Sequence, residues 1–462
     1  MFHVKHKSPH ILLINPWITD FAAYNFWIRP HGLLSIASLL RGNNFRISFI
    51  DCLDSTVARK RYGDGRFYKI QIEKPSPIKT IPRNYSQYGI SEELFREKLS
   101  HMEKPDLIGI TSGMTYWYPG LFKVIEIIRE FLKGVPIVLG GIYAIVCHEH
   151  AVKHSGADYV FKGVGERGAL KIIAESVGVE LRTPNSTVYH AGMHGCPEPH
   201  LVQGELSNNI DSLPYPAFDL YPQLDHISIM TSRGCPFHCS YCASPVISGG
   251  FERRDPLKVA EEIEYWATYY QVKNIAFYDD ALLVHPSEHI IPFLREVKKR
   301  EIHCNFHVPN GLHIREISRE VADLLYCCQF KTIRLGFETS NELTQIETGA
   351  KVDNRSFEEA VKNLKRAGYL EKEIGVYIMA GLPEQRVGEV EESIAFVKDV
   401  GAKPILVEYS PIPNTPLFEK SKKTSKFDLE NEPLFHNNSI LPCQWEGFTL
   451  TDFRRLKKRL EE

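Results

Sequence analysis

Residues 231–245 read TSRGCPFHCSYCASP and set Cys235, Cys239 and Cys242 in a C-x3-C-x2-C spacing. Three thiolates on one loop can hold a four-iron four-sulfur cluster and leave one iron without a protein ligand. That open iron can chelate a small molecule through an amine and a carboxylate, which is a catalytic arrangement rather than an electron-transfer one. The competing occupant is zinc in a structural knuckle. A closed zinc site wants four ligands, and the nearest fourth, His238, lies inside the same loop. The other seven of the ten cysteines, at 52, 147, 196, 304, 327, 328 and 443, are scattered without the form of a disulfide framework. Cys327 and Cys328 are adjacent on an expected helix and point about 100° apart, so no second cluster is expected there. Cys443, beside His436, Asn437, Asn438 and Trp445, reads as a buried structural cysteine.

The elements around the loop define what must position it. Apolar strand-like runs recur at 227–231, 274–278, 303–308, 332–336, 374–380 and 405–409, each followed by a helical pattern or a loop. Val259, Ile263, Trp266 and Tyr270 make one helical stripe, Phe357, Ala360, Val361 and Leu364 another, and Val390, Ile394 and Val397 a third. Six parallel β/α units imply a partial (β/α)6 barrel, whose carboxyl strand ends carry the chemistry. The cysteine loop follows the first of them.

Upstream, short strands at 11–14, 47–51, 107–111, 136–140 and 159–161 alternate with helices such as 33–40 and 121–132, the pattern of a doubly wound, Rossmann-like α/β domain. In such a sheet ligands bind beyond the carboxyl ends of the strands, which singles out Thr111, Ser112, Gly113, Gly140, Gly141, Gly163, Gly165 and Glu166. The connection at about 53–105 is anomalously long and contains the basic, aromatic run RKRYGDGRFYKIQIEKPSP; it is read as either a lid or a solvated insertion. A stretch with Pro184, Pro197, Pro199, Pro214, Pro216 and Pro222 reads as a linker carrying a small strand pair. The expected division is therefore 1–180, linker 181–226, barrel 227–420 and C-terminal extension 421–462. The basic helix TDFRRLKKRLEE at the end reads as a solvated face.

Composition limits the partners. With 43% hydrophobic and 24% charged residues the chain is a globular one, and a formal charge of -2 supplies no whole-protein field for nucleic acid or acidic lipid. The opening MFHVKHKSPH lacks the apolar core of a signal peptide, and the uncharged apolar run 135–147 is too short to span a bilayer, so a cytoplasmic protein is expected.

The cysteine loop after the first strand of a six-unit partial barrel resembles the radical S-adenosylmethionine (SAM) superfamily over residues 227–420. That resemblance implies that Cys235, Cys239 and Cys242 hold the cluster, that SAM occupies the open iron and that Tyr241 flanks its adenine. AFYDDALLV would offer Asp279 or Asp280 to the SAM ammonium, although the family often has Gly-Gly-Glu there. RLGFETS would offer Glu338 and Ser340 to the ribose or methionyl part, and VYIMAGLPEQ sets Gly381 beside the adenine. PDLIGITS, VPIVLGG and ADYVFKGVGE, with the Leu-Pro-Tyr-Pro stretch, resemble the cobalamin-binding class of that superfamily. The implied cobalamin contacts are Thr111, Ser112, Gly113, Gly140, Gly141, Gly163, Gly165 and Glu166. No D-x-H-x-x-G histidine is present for cobalt.

The resemblance implies an enzyme that cleaves SAM reductively to a 5′-deoxyadenosyl radical, with C-methylation of an unactivated carbon as the leading outcome. Ring formation, rearrangement and RNA modification are the alternatives within the class. RNA is prompted by Arg59, Lys60, Arg61, Arg66, Tyr68 and Lys69. A non-catalytic iron–sulfur sensor or scaffold is the alternative outside it. The expected partners are a small-molecule or peptide substrate and a flavodoxin or ferredoxin as reductant; neither membrane nor nucleic acid is expected.

Overall fold

A computed structural model describes residues 8–54, 67–163, 165–181, 187–189, 201–203 and 209–461. Arg59, Lys60, Arg61, Arg66, Pro184, Cys196, Pro197 and Pro199 lie outside these residues. The chain divides into two compact units, 1–223 and 224–462. The boundary falls near the end of the expected linker, and the C-terminal extension clusters with the second unit.

In the first unit β1 (His10–Asn15), β2 (Ile18–Asp20), β3 (Arg46–Asp51), β4 (Lys69–Ile72), β5 (Tyr85–Tyr88), β6 (Leu107–Ile110), β7 (Ile137–Leu139) and β8 (Tyr159–Val160) follow in order. Five of them form a parallel sheet in the order β3-β1-β6-β7-β8. The sequence HILLIN of β1 is apolar on both faces because the sheet is covered on both. Ile11 and Leu13 pack with Leu33, Leu40 and Ile173, whereas Leu12 and Ile14 pack with Phe95, Val124 and Ile125. Each such fully buried aliphatic side chain contributes about 1.5–3 kcal/mol. The chain leaves β1 toward β3 on one side and returns to β6 on the other, so β1 and β6 flank the topological switch point.

The described part of the long connection is built structure. β4 and β5 pair antiparallel, β5 also pairs with β2 to make a three-stranded sheet, and helix Glu92–Ser100 begins at the Ser91 cap. β9 (Thr187–Tyr189) and β10 (Leu201–Gln203) form the small antiparallel pair in the linker stretch.

The second unit begins with β11 (His226–Ile229), followed by β12 (Ser232–Arg233), β13 (Glu252–Arg253), β14 (Asn274–Phe277), β15 (Asn305–His307), β16 (Phe330–Glu338), β17 (Ile374–Ala380) and β18 (Lys403–Glu408). β11, β14, β15, β16, β17 and β18 form a six-stranded parallel sheet in chain order, the expected six β/α units. The helices Pro256–Tyr269, Arg319–Cys327 and Asn354–Ala367 are capped by Asp255, Ser318 and Asp353, whose side chains accept amide hydrogens of the first turn. Most of the expected stripe residues are buried, Val259, Ile263 and Trp266, then Phe357, Ala360, Val361 and Leu364, then Val390 and Val397, while Tyr270 and Ile394 are half-exposed. The terminal helix Leu450–Glu461 buries Phe453 and Leu456, while Lys457 and Arg459 pair with Glu408 and Glu391 at its surface.

Candidate active site

β12 and β13 pair antiparallel, Ser232 with Arg253 and Arg233 with Glu252, and so clip together the two ends of the cysteine loop. Inside the clip the Cys242 amide donates to the Cys239 carbonyl at 3.0 Å, and the Ser244 amide points at the Cys242 sulfur at 3.4 Å. Two distant segments hold the tip: the Ser240 amide donates to the Thr348 carbonyl at 3.1 Å, and its carbonyl accepts from the Leu417 amide at 2.8 Å. All three thiols are free. Burial raises the Cys235 thiol to about 11 and also raises that of Cys242, with the neighbouring thiols and Asp280 adding to the effect. Iron must therefore displace protons from these sulfurs, and loading is favoured by rising pH.

The two aspartates after β14 have different jobs. Asp279 is 4% exposed, and its Oδ1 accepts from the Thr231 amide at 2.9 Å, the Thr231 hydroxyl at 2.7 Å and the Ser232 hydroxyl at 2.6 Å. It thus anchors the start of the cysteine loop. Its Oδ2 is buried without a hydrogen-bond partner. Asp280 lies on the thiol side, where its Oδ2 accepts from the Ser244 hydroxyl at 2.6 Å, and burial raises its carboxyl. Adjacent residues leaving a strand point to opposite sides, which separates the two roles.

Glu338 ends β16 at a register shift against β17 and holds φ +69°. A bulge of this kind re-aims a side chain, and strained backbone concentrates at functional sites. Its Oε1 accepts from the Lys351 ammonium at 2.9 Å. Burial alone would lower the Lys351 ammonium, but Glu338 and the thiols of Cys239 and Cys242 outweigh it and hold it above its ordinary value. Ser340, two residues on, is turned the other way, its hydroxyl 3.1 Å from that of Ser393 on helix Val387–Val400. Tyr241 is half-buried against Leu382, Met379, Tyr409, Leu417 and Cys443, and burial, then Glu338, raises its phenol. Gly381 lies against Leu441, and its amide donates to Gln385 Oε1 at 2.8 Å. Cys443 is fully buried in the same apolar group.

Sequence reasoning missed His313 and Lys351. The His313 Nε2 is 3.9 Å from the Cys235 sulfur and its ring packs on Phe237 at 4.8 Å between centroids. Burial, then Lys351, lowers its imidazole to about 4, so it is neutral at pH 7, and its Nδ1 is buried without a partner. Neither residue belongs to a local motif. Their position after a parallel strand is the signal available, and many other residues share it.

In the first unit a cavity of about 340 Å³ opens at the carboxyl ends of the sheet. Thr111, Ser112, Gly113 and Gly141 line it, together with Asn15, Arg29 and Asp51, which the sequence had not singled out. Gly141 has φ +94°, and a Cβ there would lie 2.4 Å from the Ser112 carbonyl oxygen, so only glycine lets this loop approach. The Ser112 hydroxyl donates to the Gly140 carbonyl at 2.6 Å and fixes the two loops to each other. Asp51 accepts from Asn15 at 2.7 Å and Tyr221 at 2.6 Å, and burial raises its carboxyl. Arg29 pairs with Asp54 at 3.1 Å and lies over the Tyr221 ring at 4.0 Å. Gly140, Gly163, Gly165 and Glu166 are not among the lining residues. Gly163 packs on the Phe161 ring, and Gly165 starts helix Glu166–Ser176 with φ +92°.

Among the described residues no three His, Cys, Asp or Glu side chains are gathered for a single metal ion. A four-iron cube takes its thiolates at separate corners, so the clipped loop with its mutually interacting thiols fits that group. The unpartnered Asp279 Oδ2 and His313 Nδ1 beside the loop leave buried polar capacity for a ligand. No helix among the described residues is long and apolar enough to cross a membrane.

Residues 229–397 match the radical SAM superfamily. An uncharacterized methyltransferase of Pyrococcus horikoshii is 26% identical over 385 residues, covering 79% of this chain and 77% of that protein. The anaerobic magnesium-protoporphyrin IX monomethyl ester cyclase of Rubrivivax gelatinosus is 24% identical, covering 74% of this chain and 63% of the cyclase. Among solved structures, the radical SAM methyltransferase TsrM of Kitasatospora setae with tryptophan and a SAM analogue bound superposes with TM-score 0.63 at 18% identity, over 91% of this chain and 78% of TsrM. Another TsrM structure, with cobalamin and a [4Fe-4S] cluster bound, gives TM-score 0.62. At this identity the likeness establishes the fold.

Proposed function

We infer that this chain, a radical SAM enzyme by its residues 229–397, is a cobalamin-dependent C-methyltransferase. The observation that carries the reading is the presence of two separate centres at carboxyl strand ends: a clipped three-thiol loop in one unit, and a cavity at the switch point of a doubly wound sheet in the other. The solved TsrM holds cobalamin and a four-iron cluster on the same fold, which supports the same pair here.

Cys235, Cys239 and Cys242 would hold the cluster, and Thr111, Ser112, Gly113 and Gly141 would hold cobalamin. When bound, the cluster and SAM supply a 5′-deoxyadenosyl radical, and cobalamin supplies the methyl group. The protein binds, orients and shields. Asp280 and Glu338 are the carboxylates on the thiol side, suited to accept hydrogen bonds from the SAM ammonium and ribose. Tyr241, Leu382 and Leu417 present an apolar wall suited to the adenine and to excluding water from a radical. Asp279 acts on the loop itself. The substrate is a small molecule or peptide, and a one-electron donor of the flavodoxin or ferredoxin kind supplies the reducing equivalent.

Anaerobic reconstitution with iron, sulfide and hydroxocobalamin, followed by desalting, tests the reading. About four irons and one corrin per chain should remain, and incubation with SAM and dithionite should release 5′-deoxyadenosine. Loss of all corrin on desalting would refute the cobalamin assignment, and absence of 5′-deoxyadenosine from the four-iron protein would refute the radical one.

A further inference from the structure

The segment Thr348–Ala350–Lys351 is shaped as though its purpose were to deliver one cation to the cysteine loop. Helix Glu342–Glu347 stops at Thr348, whose carbonyl takes the Ser240 amide at 3.1 Å. Gly349 follows with φ +124°, and a Cβ there would lie 3.0 Å from the Cys239 Cα, so backbone packs directly on backbone. Ala350 then holds φ +51°, an unfavourable conformation for a residue with a Cβ. These two turns send Lys351 inward. Its side chain is 17% exposed, its ammonium is 2.9 Å from Glu338 Oε1 and 5.6 Å from the centre of the Tyr241 ring, and Gly336 leaves it room. Tyr241 stands between Cys239 and Cys242 in the chain, and the same ammonium acts electrostatically on both thiols.

We propose that Lys351 is a positioning residue that sets the one-electron reduction potential of the cluster held by Cys235, Cys239 and Cys242, with Glu338 as its opposing charge. The proposal rests on the cluster assignment above. Reduction takes the cluster from its 2+ to its 1+ state with one electron from an external donor, and no bond at the protein forms or breaks. The added negative charge is stabilised by a fixed cation and opposed by a fixed carboxylate. In an interior of effective dielectric about 20, a unit charge within about 10 Å changes such an equilibrium by about tenfold or more. The left-handed backbone of Ala350 is the structural cost of holding the ammonium on the sulfur side rather than letting it reach solvent.

The test uses the full chain, reconstituted anaerobically with iron and sulfide and titrated with dithionite and redox mediators while the reduced cluster is followed by electron paramagnetic resonance. Lys351→Met should disfavour reduction by about tenfold, which is about 59 mV for a one-electron couple. Glu338→Gln should shift the equilibrium in the opposite direction, because it leaves the cation uncompensated. Lys351→Arg should stay within about threefold of the parent. A packing role would move Met and Gln variants the same way or not at all, and either result overturns the proposal. Should Lys351→Met not fold, the direction of the Glu338→Gln shift and the Lys351→Arg value still decide it. Failure of the parent chain to form a four-iron cluster would overturn the cluster assignment as well, whereas a normal cluster with unmoved potentials would overturn this proposal alone.

Discussion

Replacement of Asp279 by Ala separates an anchoring role from a ligand-binding one. The carboxylate oxygen Oδ1 accepts the Thr231 amide and the hydroxyls of Thr231 and Ser232, all within 2.9 Å, in a place 4% exposed. Each buried donor left unpaired costs about 1–3 kcal/mol. The Thr231 hydroxyl keeps a neighbour in His289 Nε2 at 2.7 Å, and the Ser232 hydroxyl can rotate, but the Thr231 amide is fixed by the backbone. Removing a carboxyl that burial already disfavours in its ionised form returns part of the loss. The net expectation is about 2–4 kcal/mol, with Asp279→Asn losing less because it keeps one acceptor. Equilibrium urea unfolding of the iron-free protein, followed by iron analysis after reconstitution, measures both the anchor and its consequence for the loop. A change below about 1 kcal/mol in the iron-free protein, with only SAM affinity reduced, would refute the anchoring argument and restore Asp279 as a ligand for the SAM ammonium.

Three further outcomes are expected. Changing Cys235, Cys239 and Cys242 together to Ala should abolish the iron chromophore and SAM cleavage while circular dichroism stays that of the folded chain; a full four-iron signal in the triple variant would refute the assignment. Gly141→Ala should cost about 1–3 kcal/mol through its left-handed backbone and remove corrin retention, since its Cβ would displace the Ser112 backbone that lines the cavity; unchanged retention would show that this loop does not meet the cofactor. Burial lowers His289 and His307 from 6.5 to about 4, so between those values the unfolded chain binds more protons than the folded one. Stability should therefore fall as pH drops from about 6.5 to about 4, by up to about 3 kcal/mol for each, and His307→Gln should flatten the slope of urea midpoints between pH 7 and pH 5.

The sequence alone determined what is local or periodic. The three thiols are legible because a loop that wraps a cluster takes its ligands within eight residues, and β1 and β6 are legible because central strands of a sheet covered on both sides are apolar on both faces. The helices Tyr118–Phe131 and Asn354–Ala367 are legible from the 3.6-residue recurrence of Leu121, Val124, Ile125 and Ile128 and of Phe357, Ala360, Val361 and Leu364. The long connection was not, because β4 and β5 are short, partly polar strands, and β5 completes its sheet by pairing Tyr88 with Ile18 of β2, far back in the chain. Tertiary structure alone decided which of two adjacent aspartates faces the thiols, that Ser340 turns away to Ser393, and that Asn15, Arg29 and Asp51 converge on one cavity. It also decided Lys351. Nothing in the string TGAK distinguishes a lysine turned inward from a surface one. The difference lies in a left-handed glycine packed on the Cys239 backbone and in a bulge that turns Glu338 to meet the ammonium, and both depend on segments that become neighbours only when the sheet has formed.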